Sequence, residues 1–293
     1  MSHFSDNKIE HVGSIIIRPE REDEHYAVEL LTREAFWGFF RPDCDEHYIV
    51  HRLRRSAAFI PELDFVAECE GKLIGNIMYS KAKVVDDADF EHEVITFGPL
   101  SVMPEYQNKG VGSALLRHSI LAARDMGFGA IVFYGHPDYY PRFGFQNAEV
   151  FGITDPKGRN FDALMAMELY DGALHGISGR FFEDDAFDCD KTETEKYNKN
   201  FPHKEPVEMI SINVLLDQLP GPARRIFTER KMQNLALLNH FSGREMLGWD
   251  GADEGTILIV NRVLREHNYA PKLLPGCEIL ERAKQGIRLL ETK

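Results

Sequence analysis

Residues 14–18 read SIIIR, a β-branched run of strand length. From 19 to 40 the apolar positions Val28, Leu31, Ala35 and Phe39 recur at close to helical spacing and predict a helix. Residues 45–58 read as a second helix, ended by Pro61. Residues 64–70 and 72–80 alternate apolar with polar around the turn pair Glu70-Gly71, which predicts a β-hairpin. An acidic loop at 84–91 leads to a strand over 93–102. The strongest helical pattern covers 107–126, with Val111, Ala114, Leu115, Ala122 and Met126 along one side and Gly127 after its end. A short buried strand at 130–134, a short helix or turn at 137–143 and a strand over 162–169 complete this stretch. The order β-α-α-β-β-β-α-β-α-β predicts an α/β layer fold.

After Tyr170 the pattern changes. Residues 172–179 are glycine-rich, 183–190 are acidic and 192–205 are polar without periodicity. From 206 onward apolar positions return at helical spacing, interrupted by Pro220, Gly221, Pro222, Gly243 and Gly251. The expected organisation is a first domain over 14–170, a covering arm or linker over 171–205, and a small mainly helical region over 206–293.

Composition narrows the class. Apolar residues make up 43% and charged residues 28% of the 293, the mix of an ordinary soluble chain rather than a disordered one. No apolar run approaches the ~20 residues that span a bilayer, and residues 1–10 lack the apolar core of a signal peptide. Cys44, Cys69, Cys189 and Cys277 are scattered, which argues against a zinc ribbon and a disulfide scaffold. A reducing cytoplasmic setting, no membrane partner and no metal are expected. The net charge of −13 repels nucleic acid, so no nucleic-acid partner is expected and any phosphate site must be built locally.

The chemistry-bearing stretch is 97–145. A strand ends near Val102, and Gln107-Asn108-Lys109-Gly110-Val111-Gly112 opens a helix. First-turn amides lack intrahelical partners and carry the positive end of the peptide dipoles. Glycines at 110 and 112 let a ligand approach those amides, and Lys109 adds charge, so a pyrophosphate fits this turn. A dinucleotide fingerprint is not met, because its third glycine is Leu115, and a P-loop's Gly-Lys-Ser/Thr ending is absent.

The pattern Gln-x-x-Gly-x-Gly after a strand, then the 130–134 strand, then Tyr140-Pro141-Arg142-Phe143-Gly144-Phe145, resembles the GNAT superfamily of acyl-CoA-dependent N-acetyltransferases over residues 14–170. The resemblance implies a mixed, splayed central sheet flanked by helices. The strand of Leu100 and Val102 would splay from 130–134 and receive the pantetheine arm of acetyl-CoA as an added strand. The diphosphate would take the amides of Asn108, Lys109, Gly110, Val111, Gly112 and Ser113 beside Gln107, with the Val102 amide as oxyanion donor.

The implied reaction is direct amine attack on the thioester. Deprotonating an alkylamine of pKa ~10.4 at neutral pH costs about 4–5 kcal/mol, which calls for a base. Tyr140 is the implied proton donor, with Tyr139 as its neighbour alternative. Glu93 and His136 are the base candidates. By strand alternation Glu93 shares a face with Val102 only if a bulge intervenes. The acidic run from Glu183 to Asp190 reads as a solvated face, as do Arg52, Arg54 and Arg55, and Trp37 with Phe36, Phe39 and Phe40 reads as core. The acidic chain favours a cationic acceptor, a small-molecule or protein amine. The region after 206 either covers the acceptor site or mediates homo-oligomer formation. A non-catalytic acyl-CoA sensor or scaffold is the rival reading.

Overall fold

The computed structural model describes residues 10–12, 14–269 and 272. The signal-peptide reading of residues 1–9, Cys277 and the end of the C-terminal region lie outside them. Along the described chain run β1 (Glu10–Val12), β2 (Ile15–Pro19), α1 (His25–Phe36), α2 (Glu46–Leu53), β3 (Phe65–Cys69), β4 (Lys72–Val85), β5 (Glu91–Val102), α3 (Val111–Asp125) and β6 (Ala130–Tyr134). They continue with β7 (Gln146–Asn147), β8 (Ile153–Thr154), β9 (Leu164–Glu168), β10 (Gly179–Phe182), α4 (Lys191–Asn198), α5 (Asn213–Leu216), α6 (Gly221–Glu229), α7 (Gly243–Leu247) and α8 (Glu254–Glu266). Two compact units result. Among the described residues, the first holds those within 10–133, 148–160 and 166–207, and the second those within 134–147, 161–165 and 208–272. No helix among the described residues is long and apolar enough to cross a membrane.

The first unit is a mixed sheet flanked by helices. Its strands lie in the order β1-β2-β3-β4-β5-β6, with β9 next to β6. Pairing is antiparallel through β5 and parallel from β5 to β6. Alternation along β4 sends Gly75, Ile77 and Tyr79 to one face and Asn76, Met78 and Ser80 to the other. On the first face lies α3: the Tyr79 hydroxyl donates to Ser119 Oγ at 2.9 Å, because the Ser119 hydroxyl itself donates to the Leu116 carbonyl. On the second face Met78 packs with Val28 of α1 and with Val50 and Leu53 of α2. The two helical layers thus hold β4 and β5 between them.

Two elements of this unit depart from the sequence reading. Gly179–Phe182, next to the glycine-rich segment, forms β10, antiparallel to the far end of β4 and parallel to β8. Lys191–Asn198 forms α4 although it lacks apolar periodicity. Its first turn is capped by Asp190, which accepts the Glu193 N–H at 3.0 Å. Its last turn is anchored on α1, where the Tyr197 hydroxyl donates to Glu29 Oε2 at 2.7 Å. The same Glu29 receives Arg54 at 3.0 Å, and Arg54 reaches Glu20 at 2.5 Å. Arg54 is therefore a buried ion-pair partner rather than a surface charge. Trp37 donates its indole N–H to the Glu205 carbonyl at 3.0 Å, so residues up to 205 pack on the α1 end.

The second unit is mainly helical. Leu215, Phe227, Leu235, Trp249, Ile257, Val260 and Leu264 form its core. Pro220 and Pro222 open α6 instead of interrupting it, since proline at a first turn gives up an amide that has no intrahelical acceptor. Asp253 caps α8 by accepting the Thr256 N–H at 2.7 Å.

Gly179 is where the return strand meets β4. A Cβ there would stand 2.1 Å from the Val85 carbonyl oxygen, and its φ is +141°. Gly179→Ala is expected to lower stability by at least about 2 kcal/mol, combining overpacking with backbone strain. Urea titration checks this, and an unchanged midpoint contradicts the pairing of β10 with β4 in this register.

Candidate active site

The parallel ladder between β5 and β6 is recorded at one pair, Ile95↔Ile131. From Thr96 to Val102 β5 stays paired to β4 on one edge, while its other edge has no strand partner among the described residues. This is the splay that the motif resemblance implies. Its cause lies partly in β5. The β4 register runs Ile77↔Leu100 and then Tyr79↔Phe97, so Gly98 and Pro99 together oppose Met78 alone. One extra residue on β5 makes a bulge, which bends the strand and increases its twist. Pro99 also brings no N–H to a ladder.

The bulge resets the alternation. Val102, Leu100, Phe97, Ile95 and Glu93 oppose Gly75, Ile77, Tyr79, Lys81 and Lys83, all on one face. Glu93 thus shares the Val102 face, by the irregularity that reading required. Nevertheless it is exposed there and pairs with Lys81 Nζ at 3.0 Å. It lies eight β4 positions from Val102, about 27 Å along the strand.

Past Val102 the chain builds an amide-lined turn. The Met103 N–H bonds the Ile74 carbonyl at 2.9 Å. By antiparallel alternation the main-chain groups of Val102 and Leu100 therefore point away from β4, into the opening. Gln107 Nε2 donates to the Val102 carbonyl at 3.1 Å and ties the turn to the strand. Asn108 and Gly110 both take positive φ, 58° and 89°. Gly110 serves as N-cap without a side-chain bond. The first intrahelical bond of α3 runs from the Ala114 N–H to the Gly110 carbonyl at 2.9 Å, so the helix leaves the Val111 and Gly112 amides unused. Nothing lies within 4 Å of where a Gly110 Cβ would stand. Lys109 Nζ sits 5.6 Å from the Tyr106 ring centre. Leu100, Val102, Gln107, Asn108, Lys109, Gly110, Val111, Gly112 and Ser113 are therefore contiguous along one strand end and one turn.

Tyr140 and His136 belong to the second unit. Tyr140 opens a 3-10 turn, Tyr140–Phe143, its ring at 89° to Tyr139 and 6.0 Å from Phe145. Tyr139 is covered by Arg142, whose guanidinium lies 4.5 Å from its ring and donates to its carbonyl at 2.8 Å. His136 Nδ1 accepts the Asp138 N–H at 3.2 Å, which leaves the ring proton on Nε2. Burial, with the charges of Lys272 and His240, depresses its pKa to about 3. An imidazole so placed stays neutral and is a weak proton acceptor.

One group in the first unit went unnoticed in the sequence. Glu183 comes directly after β10, whose register places Phe181 opposite Val84. Two residues on, Glu183 takes the same face, and the Thr96 hydroxyl donates to its Oε1 at 3.5 Å. Burial raises its pKa to about 7, and the Thr96 bond partly offsets the rise. The acidic run is thus not uniformly solvated: its first carboxyl turns inward. The available signal was the alternation Arg180, Phe181, Phe182, Glu183 after a glycine, which continues a strand parity.

Residues 62–147 match the model of the acetyltransferase (GNAT) domain. An uncharacterized N-acetyltransferase of Escherichia coli K12, YjhQ, is 41% identical over 127 residues, covering 43% of this chain and 66% of that protein, just under two thirds of its length. A second from the same strain, YhbS, is 27% identical over 166 residues, 56% of this chain and 93% of its own. The crystal structure of the E. coli GNAT family N-acetyltransferase YhbS in complex with CoA aligns with a TM-score of 0.54 and 24% identity, over 64% of this chain and 97% of that one, and shows the shared fold.

The half-buried Glu183 carboxyl makes a pH prediction. Glu183 holds its proton to about pH 7 when folded but only to about 4.3 in an unfolded chain. The folded state binds the extra proton between those values, so this contribution to stability is full below pH 4 and lost as pH rises through 7. The loss is at most about 4 kcal/mol. Glu183→Gln removes it, so urea midpoints of the variant should gain on the unsubstituted protein between pH 5 and pH 8. Parallel curves contradict the burial.

Proposed function

With an acetyltransferase domain of the GNAT family in this chain as the premise, we propose that the protein moves an acetyl group from acetyl-CoA to a primary amine by direct attack in a ternary complex. The observation that carries the reading is the continuity of the unpaired β5 edge with the amide-lined start of α3. A pantetheine arm pairs along the Leu100 and Val102 main chain as an added strand. Its diphosphate sits on the turn from Asn108 to Ser113, held by amides, the helix dipole and Lys109. One of the two inward amides of β5 meets the thioester oxygen as charge develops on it. The relative YhbS was crystallised with CoA, and this reading assigns the same ligand class to the present chain.

Tyr140 is assigned the proton donor to the departing sulfur. A thiol of pKa ~8.5 leaves without much help, whereas an ammonium of pKa ~10.4 must first lose a proton. The acid is therefore the lesser requirement. The net charge of −13 favours a cationic acceptor at the encounter stage. The acceptor is a small-molecule or protein amine, and a cytoplasmic setting suits both.

Calorimetry with acetyl-CoA tests the turn. Gly112→Asp sets a carboxylate against the diphosphate and should weaken binding at least 100-fold, while Gly112→Ala, compatible with a helix, should change it far less. Equal affinity in the folded Asp variant removes the placement. Release of free CoA thiol with a panel of primary amines tests turnover. Tight binding without amine-dependent release across the panel would favour the sensor reading. Tyr140→Phe should lower turnover about 10–100-fold and leave measurable activity; complete loss, with folding and acetyl-CoA affinity intact, contradicts the lesser role of the acid.

A further inference from the structure

The wedge between β5 and β6 has a vertex and a mouth. The vertex is Ile95, the β5 residue paired to β6. The mouth is Val102, where the strand gives way to the amide-lined turn. A coenzyme whose diphosphate sits at the mouth sends its pantetheine arm inward, so its thioester is the part that approaches the vertex. The polar groups near the vertex therefore face the reacting end.

Thr96 is the residue next to the vertex, fully buried, and it bonds Glu183. Ser80 pairs with Thr96 across the ladder. It too is fully buried, and its hydroxyl has no hydrogen-bond partner among the described residues. Buried hydroxyls are seldom left unsatisfied, so one beside the half-buried Glu183 carboxyl calls for a polar partner such as water or substrate. Small residues at Ser80 and Ala82 let the Glu183 side chain cross β4 to reach β5. Nearby, Phe187 approaches within 3.4 Å of where a Gly98 Cβ would stand, so the segment after Glu183 is packed onto the bulge.

We infer that Glu183 is the proton acceptor for the amine, reached through water, with Thr96 as the residue that positions its carboxylate. This rests on the acetyl-transfer reading. Leu100 lies three β4 positions from Thr96, about 10 Å, which is why the proton travels through water. An ammonium gives one proton to Glu183. The freed nitrogen lone pair then forms the C–N bond at the thioester carbonyl, and the C–S bond breaks. The second nitrogen proton passes to the departing sulfur through Tyr140 or solvent, giving thiol and amide, and Glu183 returns its proton to solvent.

A carboxyl whose burial lifts it to about 7 is matched to this task, because a base works best near the operating pH. The charged groups of the neighbouring elements are engaged elsewhere. On the opposite sheet face, Lys81 pairs with Glu93 and Lys83 with Glu91. On its own face His92 pairs with Asp86 at 3.0 Å. Asp184 accepts the Ser56 hydroxyl at 2.9 Å, and Arg52 of α2 bonds the Asp188 carbonyl.

The experiment measures kcat and KM against pH from 6 to 10, using acetyl-CoA and the best acceptor among a polyamine, an amino sugar and a lysine peptide. Glu183→Gln should lower kcat at pH 7 about 100–1,000-fold, with acetyl-CoA affinity by calorimetry within about 3-fold. Its deficit should shrink toward pH 10, where the amine loses its proton unaided. Glu183→Asp should retain part of the activity. Thr96→Val removes the bond that favours the carboxylate, so the rising limb of kcat should move to higher pH, a shift that a merely structural threonine would not produce. An active parent enzyme whose Glu183→Gln variant keeps kcat within about 3-fold and the same pH profile overturns this proposal and leaves acetyl transfer standing. Absence of amine-dependent thiol release from the parent overturns both.

Discussion

Main-chain donors and acceptors inside a protein need partners, and among the described residues the second half of β5 has no strand to supply them on one edge. Its parallel neighbour pairs at Ile95 and then diverges. The bulge at Gly98 and Pro99 turns the strand at the point where divergence begins. The surrounding groups accommodate that open edge. Gln107 takes the Val102 carbonyl, and the remaining inward groups of Leu100 and Val102 face an opening that an extended ligand can fill.

The electrostatics obey the same local logic. A chain of net charge −13 does not attract phosphates by its general field. The diphosphate site proposed at the turn from Asn108 to Ser113 rests instead on amides and a helix dipole, with Lys109 as its one basic side chain. Carboxylates show how environment divides one residue type into two chemistries. Glu93 is solvated and ion-paired with Lys81. Glu183 is half-buried beside a hydroxyl, and its proton is held to about pH 7. Their difference lies in which face of the sheet each strand offers, since neither flanking sequence is unusual.

The second unit shows how burial sets a role. His136 lies in the loop from 134 to 147, which shares its unit with the C-terminal helices. Lys272 is buried there, its main chain clasped by the Asn261 side chain at 2.5 and 2.9 Å, and its pKa falls to about 8. Charge of that sign beside a desolvated imidazole keeps His136 neutral. The region after 206 is therefore an environment for the loop that carries Tyr140, as well as a helical core of its own.

The motif from Gln107 to Gly112 and the Tyr140 to Phe145 pattern were legible because they depend on local backbone freedom and on neighbours within one turn. The same holds for the hairpin at Glu70-Gly71 and for α3, whose apolar stripe is a matter of spacing. The chain order of elements over 14–170 came from those periods. Other features depend on residues far apart in the chain. The bulge at Gly98 appears only when β4 is laid beside β5, and without it the face of Glu93 cannot be assigned. β10 is a strand because β4 extends far enough to pair with it, and α4 is a helix because Tyr197 finds Glu29 on α1. Glu183 looks like any acidic surface residue until a strand turns it toward Thr96. Local patterns specify which segment adopts which backbone form, whereas desolvation and cross-strand register belong to pairs of segments, and only the assembled fold brings those pairs together.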